Sequence, residues 1–81
     1  MFEVKVYPNP FASRFQLRIE SNEDEMLELK IFNVNGQLIE ERKGVLPGTE
    51  IELGQGFVNG LYLVQVKQGE RVKTMRVIKS E

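Results

Sequence analysis

The chain has 81 residues, with 11 Lys and Arg against 12 Asp and Glu, a formal net charge of −1, and neither cysteine nor histidine. Those absences remove disulfides, thiolate metal sites, the commonest zinc ligand and the usual general base of a hydrolytic triad. A near-neutral charge gives no overall pull towards nucleic acid or an anionic membrane, and the 41% hydrophobic content suffices for one small core.

The first residues, Met1-Phe2-Glu3-Val4-Lys5, lack the basic start and apolar stretch of a signal peptide. Met1 is read as the start of a piece cut from a longer protein, and if the domain is exported, the address for crossing the inner membrane lies elsewhere. No apolar run approaches the roughly 20 residues needed to span a bilayer. Val4–Tyr7 is the first expected strand. Pro8-Asn9-Pro10 follows, where each ring fixes φ near about −65°, removes a backbone donor and biases its predecessor towards extended conformations. The expectation is a stiff crossover between two sheets, fastened to the core by the flanking Tyr7 and Phe11, with an edge that a receptor could also read.

Phe15, Leu17 and Ile19 alternate with Gln16, Arg18 and Glu20, and Leu27, Leu29 and Ile31 alternate with Glu28 and Lys30. Both stretches predict half-buried strands. Between them, Glu20, Glu23, Asp24, Glu25 and Glu28 form an acidic run without a base. It lacks the spaced ligand loop that calcium requires, so a solvated turn is the simpler reading. Asn35-Gly36 predicts a type I′ hairpin joining the Leu27–Asn33 strand to Leu38–Lys43, with positive φ at both turn residues. Gly44 and Pro47-Gly48 are expected to break that strand, and Glu50–Leu53 alternates again with its two glutamates facing solvent.

Gly54, Gly56 and Asn59-Gly60 mark a turn-rich connection. The sequence Leu61–Val66 is nearly all apolar, which predicts a central strand buried on both faces. Gly60 permits a tight turn into it, and Tyr62 is placed to pack its ring inward while its hydroxyl reaches the preceding loop, like a tyrosine corner. Gln68-Gly69 turns the chain into a last strand, Arg71–Ile78. Lys67, Arg71, Lys73, Arg76 and Lys79 there face Glu70 alone, which suits either a partner-orienting patch or an edge guarded against aggregation. The expected architecture is all-β, an immunoglobulin-like β-sandwich of about seven short antiparallel strands in one domain over 1–81, with a small barrel as the alternative.

No residue set looks able to run a reaction. Ser13, Ser21 and Ser80 have no histidine to activate them, and Gly54-Gln55-Gly56 is not followed by the helix of a phosphate-binding loop. An enzyme is not expected, nor a cofactor, a metal or a small-molecule substrate.

Four marks occur in order: Pro8-Asn9-Pro10-Phe11, the hairpin Ile31-Phe32-Asn33-Val34-Asn35-Gly36-Gln37, Gly60-Leu61-Tyr62, and the tail Arg76-Val77-Ile78-Lys79. In that order, from about Val4 to Lys79, the chain resembles the C-terminal sorting domain of cargo proteins exported by the type IX secretion system of Bacteroidetes-type bacteria. The resemblance implies a non-catalytic signal that takes an N-terminal cargo domain through the periplasm to the outer-membrane translocon. A sortase-like peptidase would then remove the domain, leaving cargo at the cell surface or secreted. It also implies Pro8, Asn9, Pro10, Gly60, Tyr62, Arg76, Val77, Ile78 and Lys79 as recognition residues. Two other readings fit a catalytically silent sandwich: an accessory carbohydrate-binding or spacer module of a surface enzyme, and a structural module like that of flagellar hook-capping proteins.

Overall fold

A computed structural model describes residues 1–81. It contains seven strands: β1 (Phe2–Tyr7), β2 (Phe15–Ser21), β3 (Leu27–Asn33), β4 (Leu38–Val45), β5 (Glu50–Leu53), β6 (Gly60–Gln68) and β7 (Arg71–Lys79). They form a three-stranded sheet in the order β1-β2-β5 and a four-stranded sheet in the order β4-β3-β6-β7, with every pairing antiparallel. This is a sandwich with immunoglobulin-like connectivity, in which the chain crosses between sheets after β2, β4 and β5.

Period-two alternation explains the core. Phe15, Leu17 and Ile19 of β2 turn inward to meet Leu27, Leu29 and Ile31 of β3, and all six are fully buried. Val4, Ile51 and Leu53 complete one inner face, and Tyr62, Val64, Val66 and Val77 the other. Each fully buried aliphatic or aromatic side chain contributes about 1.5–3 kcal/mol relative to exposure.

Four local expectations give way to different geometry. Strand β6 is central, between β3 and β7, but it is buried on one face only. Tyr62, Val64 and Val66 face the core, while Leu63 stands 37% exposed on the outer face. Hydrophobicity there reflects an outer apolar surface rather than a second core.

Asn35-Gly36 is not a type I′ turn, because no residue other than glycine has positive φ. Gly36 (φ 80°) instead follows a tight turn in which its N–H donates to the Asn33 carbonyl at 3.0 Å. Side-chain chemistry holds the loop: Asn33 Oδ1 accepts from the N–H groups of Asn35 (2.9 Å) and Gln37 (3.0 Å), and its Nδ2 donates to Gln37 Oε1 (2.8 Å). An asparagine that binds its own turn competes well with the two-residue alternative.

Gly44 does not end β4. The register shifts there, from Leu29↔Arg42 to Leu27↔Val45, and Gly44 takes φ 68° inside the irregularity. The bulge restores Val45 to the core. Finally, Tyr7 does not fasten its corner to the core. It is exposed and its hydroxyl donates to the Glu50 carboxylate across the outer face. That hydrogen bond first, then partial desolvation and the nearby carboxylate charge, hold the phenol above its ordinary pKa of 10.0.

A candidate recognition end

Antiparallel pairing brings all four sequence marks to one end of the sandwich. Tyr7 pairs with Gln16 and Phe15 with Leu53, so the Pro8–Arg14 loop and the Gly54–Asn59 connection lie together. Tyr62 pairs with Asn33 and Gly60 with Lys79, which adds the Asn33–Gln37 hairpin and the tail.

Pro8, Asn9 and Pro10 are exposed, and both X-Pro bonds are cis. From this corner the Asn9 amide reaches the tail. Its Nδ2 donates to the Arg76 carbonyl at 2.8 Å, and its Oδ1 accepts from the Ile78 N–H at 3.0 Å. The side chain thereby supplies the donor and acceptor that a neighbouring strand's backbone would supply. Phe11 continues the pattern: its N–H donates to the Ile78 carbonyl (2.8 Å), and its carbonyl accepts from the Ser80 N–H (2.9 Å). Its ring is almost wholly buried, 4.9 Å from Phe15 between ring centroids. The corner leaves the three-stranded sheet at Tyr7 and joins the four-stranded sheet at Phe11, paired in parallel with Lys79.

Gly60, at φ 152°, opens β6. Tyr62 is buried, and its hydroxyl donates to the Val58 carbonyl at 2.7 Å, closing a tyrosine corner. Next to it, Asn59 Oδ1 accepts from Lys79 Nζ at 3.2 Å. The four tail residues therefore part company. Val77 is fully buried and Lys79 is only 9% exposed, while Arg76 and Ile78 face outward.

Over residues 5–80 the chain matches the model of the secretion system C-terminal sorting domain family. The chain belongs to that family. Its role is that of a sorting signal for type IX secretion, which carries proteins to the cell surface or out of the cell, and the machinery of that system is its partner. A search of curated proteins found no match.

Around the tail, the sorting domain presents features that residue-by-residue reading misses. Cross-strand pairs Leu61↔Ile78, Leu63↔Arg76, Phe32↔Leu63 and Phe32↔Leu38 form an apolar strip on the outer sheet face, with Arg76 at its border. Its signal was available in the phase of Leu61 and Leu63, which is opposite to that of Tyr62. Beyond the strip lies a notch of about 240 Å³ between the hairpin and the Gly60 turn, where Val34, Ile39 and Val58 stand exposed beside Leu61.

The opposite end of the sorting domain is acidic. Buried Gln68 organises it, accepting from Ser21 Oγ (2.6 Å) and donating to the carbonyls of Glu23 (3.2 Å) and Glu25 (2.8 Å). An open dish beside it is lined by Glu20, Glu23 and Asp24 with Met1 and Pro47, but no three carboxylates converge as metal ligands.

Proposed function

We propose that this sorting domain is gripped at the Pro8–Phe11 and Arg76–Lys79 end by the outer-membrane translocon, and that it carries an N-terminal cargo there from the periplasm. Shuttle and sortase-like components then act on it, releasing cargo to the surface or the medium. The domain works by being recognised and performs no chemistry of its own. One observation carries this reading: marks as distant in sequence as Asn9 and Arg76–Ile78 are hydrogen-bonded into one surface. The asparagine between the two prolines reaches a strand 67 residues away and so fixes the corner beside the tail.

A glycan-binding role gains nothing from the arrangement of rings, since only Tyr7 among the seven aromatic residues is exposed. In the tail, Arg76 and Ile78 are the groups a partner would meet first, with the Leu61–Leu63 strip alongside. Val77 and Lys79 support them from within.

Fusion of residues 1–81 behind an inner-membrane signal and a fluorescent reporter tests the reading. Reporter should reach the surface or medium of a type IX-competent bacterium and stay in the periplasm of a translocon-null strain. Equal retention in both strains, with the domain intact, would refute sufficiency.

A further inference from the structure

Sheet edges with unpaired backbone groups are templates for another strand, and proteins shorten, bend or cover them. This domain treats its edges unequally. Strand β5 has only four residues, and the pairing of β4 is interrupted by two register shifts. Strand β1 is six residues long, carries one charge of each sign and stops at Pro8. Strand β7 is different: nine residues pair with β6 in one unbroken register, and its other edge pairs with no strand, while β1 of the facing sheet lies close to it.

The C-terminal part of that outer edge is covered. Arg76 O, Ile78 N–H, Ile78 O and Ser80 N–H all bond to Asn9 or Phe11. The covering segment cannot itself be extended readily, because Pro8 and Pro10 have no N–H. A strand's two-residue period turns the backbone groups of Val72 and Thr74 in the same outward direction as those of Ile78. They have no partner, and neither does the N–H of Arg76. The proline corner thus acts as a stop that confines any incoming strand to Arg71–Arg76.

Charge then selects the occupant. Arg71 and Lys73 share one face of this stretch and Arg76 stands on the other, with no acid in the strand, and none takes part in the chain's four ion pairs. A second copy pairing β7 with β7 would bring two cationic, acid-free strands together, which like-charge repulsion opposes. An acidic strand would gain both main-chain hydrogen bonds and charge contacts.

We infer that the open β7 edge between Arg71 and Arg76 is a strand-addition site for an extended acidic segment of a partner protein. This goes beyond the sorting role of the tail and is testable on the isolated domain, apart from export. The probe is the capped hexapeptide Glu-Val-Glu-Val-Glu-Val at millimolar concentration, with Lys-Val-Lys-Val-Lys-Val as control, followed by backbone amide shifts and hydrogen exchange. Only the acidic peptide should perturb and protect the amides of Val72, Thr74 and Arg76. Thr74→Pro removes an outward-facing donor and no bond to β6, a place where edge strands tolerate proline. That variant should keep the melting temperature within a few degrees and bind the acidic peptide at least tenfold more weakly. Lys73→Glu should weaken binding in the same direction and provides a second variant should the proline disturb folding. The inference fails if the acidic peptide leaves these amides unmoved, protects a different edge, or binds no more tightly than the lysine peptide.

Discussion

Phe11→Ala will lower the unfolding free energy by about 4 kcal/mol, the usual range for a buried phenylalanine being about 3–5 kcal/mol. The ring is 1% exposed and packs on both Phe15 and Phe57, at centroid separations of 4.9 and 6.3 Å. A domain of this length has a total stability on the order of 4–12 kcal/mol, so the loss removes a third of it or all of it. The side chain also positions the backbone that bridges to Ile78 and Ser80. Urea denaturation should show a lower midpoint with an unchanged slope, and hydrogen exchange at Ser80 should accelerate beyond the global change. A loss below about 2 kcal/mol would mean that the core closes over the vacancy, and that the ring does not hold the corner.

Gly54→Ala will cost about 3 kcal/mol although it adds a single methyl group. Gly54 is buried with φ at 95°, and a Cβ there would lie 2.7 Å from Phe11 Cε2 and 3.0 Å from Phe15 Cδ1. Overpacking a closed core costs roughly 1–3 kcal/mol, and the left-handed backbone adds about 1–2 kcal/mol for a residue with a Cβ. Gly56→Ala separates the two contributions, since Gly56 has φ at 83° but nothing within 4 Å of the added atom. It should show the backbone cost alone, about 1–2 kcal/mol. Equal losses at both positions, measured by thermal or urea unfolding, would remove the packing argument.

All seven expected strands form, and those whose buried face was also legible are the ones whose two faces differ chemically. In β2 and β3 the alternation of Phe15, Leu17 and Ile19, or of Leu27, Leu29 and Ile31, with charged neighbours fixes both element and phase. Leu61–Val66 has no such contrast, because the outward Leu61 and Leu63 belong to an exposed apolar strip. A run with apolar residues in both phases reads as buried on both faces, whatever actually covers them. The hairpin formed where it was expected, but its turn type differed: Asn-Gly is compatible with two turns, and the deciding atom is Oδ1 of Asn33, two residues earlier. Gly44 looked like a stop because a bulge and a break use the same residue.

The candidate recognition end was visible only in pieces. Composition and order marked the proline corner, Gly60-Leu61-Tyr62 and the tail, and Tyr62 lies where a tyrosine corner requires. The bonds from Asn9 to Arg76 and Ile78, and from Lys79 to Asn59, are products of the overall topology. No local pattern encodes them. They also alter what a tail mutation means. Lys79→Glu would place a carboxylate in a largely buried site facing Asn59 Oδ1, damaging the fold along with any contact surface.

The most direct test of the account therefore changes only outward-facing tail groups. Arg76→Glu combined with Ile78→Ser, in the reporter fusion, leaves Val77, Lys79 and the Asn9 bonds in place. Export from the type IX-competent strain should fall at least tenfold, with the domain still folded and protease-resistant in the periplasm. Undiminished export of that folded variant would contradict the claim that the machinery reads this end of the sandwich.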